Sequence, residues 1–158
     1  MVSVLNKENV WELLESIPDP EIPVISIVDL GIIRSVDISD QKTLVTITPT
    51  YSGCPAMFEI ESQIKEVLSN AGIGNLELKT VLAPAWTTDW INAEAKKKLE
   101  EYGIAPPKPG IFSEDTLVAC PFCKSENTSV TSVFGSTPCK ALFYCNSCEQ
   151  PFEHFKCH

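Results

Sequence analysis

Cys120-Pro121-Phe122-Cys123 and Cys145-Asn146-Ser147-Cys148 are two Cys-x-x-Cys knuckles with residues 124–144 between them. Each knuckle is a half-site for a tetrahedral metal, since two thiolates at this spacing can turn toward one ion. Together they make a four-cysteine site. The tail that carries them is too short to bury an adequate apolar core, so a bound metal would supply folding energy. Short β-prone runs flank the knuckles at residues 128–134 and 141–144, as expected of a ribbon whose strands hold metal loops. Zinc is the expected ion. An iron–sulfur cluster is the alternative, because soft thiolates serve both.

Working back from the knuckles, residues 105–110 read Ala-Pro-Pro-Lys-Pro-Gly, a semi-rigid linker. The expected division is therefore a first domain over 1–104, a linker over 105–110 and a metal-binding module over 111–158. In the first domain Val10, Leu13, Leu14 and Ile17 make one apolar helical stripe over about residues 7–16. Residues 32–38 and 43–48 read as strands of a hairpin turning at 39–42. Met57, Ile60, Ile64, Val67 and Leu68 mark a second helix over about 55–71, and residues 76–82 alternate as a half-buried strand. A third helix spans about 93–102, with Asn92 at its N-cap and Gly103 just past its end. The order α-β-β-α-β-α predicts an α+β class, a small layer domain with helices over one sheet face.

Hydrophobic residues make up 44% and charged residues 21% of the 158, which places the chain among globular proteins. No apolar run is long enough to span a bilayer, and the N-terminal residues lack a signal-peptide layout, so a cytoplasmic protein with no membrane partner is expected. That compartment favours metal-binding or reactive thiols over disulfides. The net charge is −9, with 9 basic and 16 acidic residues up to Gly110 and 3 and 5 beyond it. Neither part carries the field needed to neutralise phosphates, so nucleic acid is excluded as a partner.

Cys54 stands apart from the other six cysteines, in Thr48-Pro-Thr-Tyr-Ser-Gly-Cys54-Pro55. Pro55 suits the first helical position, which makes Cys54 the N-cap, beside free N–H groups and the positive end of the helix. Thiolates are stabilised there. Gly53 permits a tight turn, and Thr48, Thr50, Tyr51 and Ser52 offer hydroxyls. The competing reading is a small, inert, buried cysteine. The histidines, His154 and His158, are both in the tail, so a base for nucleophilic catalysis by Cys54 is lacking. Asp19-Pro-Glu21-Ile-Pro23 and Asp29-Leu-Gly31 are either ordinary turns or a source of polar partners for Cys54. Trp86 and Trp90 either cap the core or form a partner surface.

Asp19-Pro-Glu-Ile-Pro23, Val28-Asp-Leu-Gly31 and Gly53-Cys-Pro55 resemble the SufT-like domain of iron–sulfur maturation proteins. Thr48-Pro-Thr50, Pro84-Ala-Trp-Thr-Thr-Asp-Trp90, Tyr102-Gly-Ile-Ala-Pro-Pro107, Phe134-Gly-Ser-Thr-Pro-Cys-Lys-Ala141 and Pro151-Phe-Glu-His-Phe-Lys-Cys157 are similar to the PaaD family, across nearly the whole chain. The resemblance implies a SufT-like domain followed by a four-cysteine, zinc-ribbon-like module. It also implies a non-catalytic accessory role in maturing the multicomponent oxygenase that epoxidises phenylacetyl-CoA. Its partners would be the hydroxylase or the iron–sulfur reductase subunit, and Cys54 would be the functional thiol. A stable bridging subunit is the alternative, and a thiol enzyme the less favoured third reading. A homo-oligomer is compatible with all three. Cys139 and Cys157 exceed what a four-ligand ribbon needs and are either spare thiols or additional ligands.

Overall fold

The computed structural model describes residues 6–51, 53–108 and 112–156. The chain divides into two compact units, residues 1–86 and 87–158.

The first unit opens with α1 (Lys7–Glu15), where the side chain of Asn6 accepts the Asn9 N–H at 2.7 Å and so caps the helix. Val10 and Leu14 carry its buried stripe. Strands β1 (Ile33–Ile38) and β2 (Thr43–Ile47) pair antiparallel, with the Ser39 N–H donating to the Lys42 carbonyl across the turn. Along β2, Thr43, Val45 and Ile47 are buried and the residues between them half-buried, so one face of the sheet is the covered one. Helix α2 (Ala56–Asn70) then crosses to β3 (Leu76–Thr80), which pairs parallel to β2 and gives the order β1-β2-β3. Such a crossover needs a helix of about this length. Ile60, Ile64 and Leu68 line its buried face, α1 touches both β1 and α2, and α2 lies along β3. The helix stops with the Ile73 N–H donating to the Leu68 carbonyl at 3.0 Å, and Ile73 is buried beside that turn. β3 ends two residues before the expected 82, and Leu82 is exposed. Trp86 is a core residue: its indole N–H donates to the Leu30 carbonyl at 2.7 Å.

The second unit begins with a short 3-10 turn (Thr88–Trp90) and α3 (Ala93–Tyr102), capped by Asn92, whose side chain accepts the Ala95 N–H at 2.7 Å. Gly103 is the C-cap itself, at φ 94, a left-handed conformation that glycine adopts without penalty. Four strands follow: β4 (Ile104–Ala105), β5 (Thr128–Ser132), β6 (Lys140–Cys145) and β7 (Pro151–Phe155), in the order β4-β7-β6-β5. β7 is parallel to β4 and antiparallel to β6. Alternation along β6 turns Ala141, Phe143 and Cys145 into a core shared with Ala105, Val118, Cys120 and Phe152. Phe143 stacks on Phe152 at 5.6 Å between ring centres, and Phe112 meets Phe143 edge-on.

The unit boundary at Trp86/Thr87 differs from the sequence expectation at residues 105–110. Ala105 is a buried strand residue, because pairing with β7 takes it into the sheet. Residues 109–111 lie outside the described residues.

Candidate metal centre and the thiol at the head of α2

The two knuckles are copies of one loop. In the first, the Cys120 N–H donates to the Ser125 carbonyl, and the Cys120 carbonyl accepts from Lys124, both at 2.9 Å. In the second, Cys145 donates to the Gln150 carbonyl and accepts from Glu149, again at 2.9 Å. The residue after each second cysteine is left-handed: Lys124 at φ 67 and Glu149 at φ 59. This turn swings both sulfurs of a knuckle to one side. The knuckles are tied to each other by Ser125 and Ser147, whose hydroxyls lie 2.7 Å apart, and by the Asn146 N–H donating to the Asn127 carbonyl at 2.9 Å.

The result is a four-sulfur cage. The Sγ atoms of Cys120, Cys123, Cys145 and Cys148 all lie within 4.8 Å of one another. Cys120 and Cys148 are 3.7 Å apart, and Cys123 and Cys145 are 3.5 Å apart. Those separations exceed a disulfide bond, about 2 Å. They match the edges of a tetrahedron around one ion, about 3.8 Å for metal–sulfur bonds of about 2.3 Å. The donor set therefore fits a single thiophilic ion. Cys120 and Cys145 are buried, Cys148 half-buried and Cys123 exposed. The thiols titrate unequally. Hydrogen bonding to the Cys148 N–H holds Cys145 down to about 7, while burial and then the neighbouring thiols push Cys148 up to about 12. An ion binding all four displaces their protons.

Of the two extra thiols, the described one stands elsewhere. Cys139 is buried outside this cage, with Thr137 Oγ1 3.0 Å from its sulfur and its carbonyl accepting the Lys156 N–H. Cys157 and His158 lie outside the described residues. His154 is taken into the core of the second unit. Its Nδ1 lies 3.2 Å from the Ala105 carbonyl oxygen, and burial lowers its pKa to about 4. Lys156 is also buried, with its ammonium 4.4 Å from the Phe134 ring centre and 5.2 Å from that of Phe112. Burial pulls its pKa down, and the neighbouring Cys139 opposes that.

Cys54 sits one residue ahead of the α2 cap, which falls on Pro55 rather than on Cys54 as the sequence suggested. The difference is one residue, as helix ends commonly allow. Pro55 already has helical angles (φ −66, ψ −25), and the Cys54 carbonyl accepts the Met57 N–H at 3.2 Å. The turn before it uses Gly53 at φ 77. The thiol is nine-tenths buried, with Thr50 Oγ1 3.9 Å from the sulfur. Thr48 is buried at the end of β2. Its N–H donates to Ile32, while its hydroxyl is the one buried side-chain polar atom without a hydrogen bond among the described residues. Asp19 and Asp29 are buried and close turns of their own. The Asp19 carboxylate accepts from Glu21 and Ile22, and Asp29 exchanges hydrogen bonds with Ser26. Glu21 enters this arrangement through its backbone N–H. Of the expected polar partners, Thr50 is thus the one whose contact with Cys54 is described, and Ser52 falls outside the described residues. The sequence reading missed Lys124, Glu149, Ser125 and Ser147, which shape and join the knuckles. The repeated Cys-x-x-Cys frame was the signal for them.

Comparison with known proteins adds the lineage. Residues 7–75 match the family described as iron–sulfur cluster assembly protein, and residues 105–156 match the PaaD zinc beta ribbon domain. An Escherichia coli (strain K12) protein, provisionally named as one of the subunits of 1,2-phenylacetyl-CoA epoxidase, is 46% identical over 151 residues, covering 94% of this chain and 91% of its own. The chain belongs to the PaaD family. Somewhat more than half of the chain also resembles other proteins. The Fe-S protein maturation auxiliary factor YitW of Bacillus subtilis (strain 168) is 37% identical over 57% of this chain and 89% of its own. A domain of unknown function from Bacillus anthracis, seen in a crystal structure, superposes with a TM-score of 0.55 at 30% identity over 59% of this chain and 90% of its own. Among the described residues, no helix is long and apolar enough to cross a membrane.

Proposed function

We propose that this PaaD-family chain is a non-catalytic maturation factor for the multicomponent phenylacetyl-CoA epoxidase, acting on the metal or iron–sulfur centres of its hydroxylase or reductase subunit. The observation that carries this reading is the joining of two parts in one chain. One is an assembly-type domain that holds Cys54 at the head of α2, and the other is a four-cysteine cage in a ribbon of the PaaD kind. The names of the relatives support it from two sides, one an epoxidase subunit and the other a maturation auxiliary factor.

Zinc is the ion we assign to Cys120, Cys123, Cys145 and Cys148. Their sulfurs converge as those around one ion do, whereas a cluster of several irons spreads its cysteines over different metal atoms. Bound zinc supplies folding energy and no open coordination position. Chemistry on the cargo falls to Cys54, with Thr50 beside the sulfur as its polar neighbour and Thr48 proposed as a second. Asp19, Glu21 and Asp29 hold the preceding segment in shape for that site. A reducing cytoplasm keeps these thiols out of disulfides.

Cys54→Ser tests this. In cells expressing the epoxidase, the variant should yield epoxidase with depleted iron and sulfide and correspondingly low activity, at unchanged zinc content of the variant itself. Fully metallated, active epoxidase alongside Cys54→Ser ends the maturation reading. The name of the Escherichia coli relative favours a second reading, a stable bridging subunit. Co-purification with the hydroxylase at fixed stoichiometry through gel filtration distinguishes it.

A further inference from the structure

Residues 76–104 fall between the two family-model matches, so neither model includes α3. The structure places α3 in the same compact unit as the four cysteines. Glu100 on α3 pairs with the ammonium of Lys124, the residue directly after Cys123, and that ammonium also donates to the Pro121 carbonyl at 3.1 Å. Gly103, at the end of α3, faces Phe122, the residue between Pro121 and Cys123. A Cβ at position 103 would lie 3.1 Å from two atoms of that ring. Beyond Gly103, Ile104 and Ala105 pair with Glu153 and His154 of β7.

These contacts share one dependence. Residues 120–125 form no strand or helix, and their shape is set by the Cys120 hydrogen bonds and the sulfurs. Without an ion, nothing joins the four sulfurs and the loop loses its anchor. A ten-residue helix such as α3 is shorter than those that persist alone in water, and an exposed ion pair contributes little by itself. The helix is held along its length by the buried Ala95 and Leu99, and at its C-terminal end the loop adds Lys124 and Phe122.

We propose that the first knuckle is a metal-dependent clasp for the C-terminal end of α3: the ion fixes loop 120–125, the loop holds that end through Lys124–Glu100 and Phe122–Gly103, and metal occupancy decides how firmly residues 99–105 are held. This rests on the reading that the four cysteines hold a metal ion. It makes the metal-dependent unit longer than the ribbon match, extending it upstream into the last turn of α3.

The test is amide hydrogen exchange on the full chain under reducing conditions, loaded with Zn(II) or stripped with a chelator, with zinc counted by elemental analysis. Stripping should lower the protection of residues 99–105 by about tenfold or more while α2 amides stay unchanged. In zinc-loaded protein, Phe122→Ala and Lys124→Glu should raise α3 exchange at one zinc per chain, and Glu100→Lys combined with Lys124→Glu should restore protection. Equal α3 protection with and without zinc overturns the clasp and leaves the metal centre standing. Failure of the wild-type chain to retain zinc removes the metal centre itself, and the clasp with it.

Discussion

Residues 1–86 bury Val10, Leu14, Ile27, Leu30, Val36, Val45, Ile47, Ile60, Ile64 and Leu68 between two helices and a three-stranded sheet. The ribbon of the second unit buries a smaller cluster, Ala105, Val118, Cys120, Ala141, Phe143, Cys145 and Phe152, in which two members are thiols of the cage. The first unit closes mainly on apolar area, with a few hydrogen-bonded polar groups such as Asp19 and Asp29 inside it. The second is built around a site whose ligands are part of its core, so its stability is tied to an ion. Unequal cores in one chain mean that the two parts should fail under different insults.

The largest effect expected is therefore loss of the second unit on removing a ligand. Cys120→Ser, or chelation of the wild-type protein, should abolish stoichiometric metal and melt the exchange protection of β5, β6 and β7 while α1, α2 and β1–β3 keep theirs. The mirror experiment is Ile64→Ala, at a fully buried position in α2. It should cost the first unit about 2–5 kcal/mol by urea titration and leave metal content unchanged. If both units collapse together in either case, the contrast fails.

The same difference explains what the sequence disclosed. Ile60, Ile64 and Leu68 announce α2 by spacing, and the Val45 and Ile47 alternation announces β2, because an apolar core writes its period into the chain. The knuckles were legible for another reason: metal ligands are a fixed residue type at a fixed spacing. What lies around the metal was hidden. β7 starts at a proline and carries Glu153 and His154, so it looks polar, yet it is a central strand with His154 buried. Ala105 was read as linker because three prolines nearby speak louder than one strand pair. The left-handed turns at Lys124 and Glu149 carry no glycine to flag them. The neighbourhood of Cys54 was only partly legible: Thr50 reaches the sulfur, whereas the described carboxylate contacts of Asp19 and Asp29 close turns, and residue types that do both jobs look alike in sequence.

A middle-sized effect separates the units by pH. His154 is buried and its pKa falls from 6.5 to about 4, mainly through burial, with the Ala105 carbonyl opposing. The folded form thus keeps a neutral ring while the unfolded chain takes up a proton near 6.5. Stability from this source is fully present above pH 6.5 and is lost as pH falls toward 4, roughly 3 kcal/mol in total for the second unit. Acid also releases metal, so the comparison is with His154→Gln. That variant should show a flatter stability profile between pH 6.5 and 4 at the same metal content. An identical profile would mean that the ring is not the source of the slope.

The smallest effect has the opposite sign and separates the two knuckles. Glu149 is exposed and left-handed, a conformation that costs a residue with a Cβ about 1–2 kcal/mol. Glycine removes that strain but adds freedom to the unfolded chain worth about 0.5–1 kcal/mol. Glu149→Gly should therefore stabilise the second unit by about 0.5 kcal/mol, read as a small rise in its denaturation midpoint with zinc bound. Lys124 occupies the equivalent position in the first knuckle, at nearly the same φ, yet its ammonium pairs with Glu100. Lys124→Gly relieves the same strain and removes that pair, so its gain should vanish or reverse. Equal gains at both positions would show that the Lys124–Glu100 pair contributes nothing to stability. Unequal gains, with α3 exchange rising only in Lys124→Gly, would show that two loops of the same backbone shape differ because one of them holds a helix.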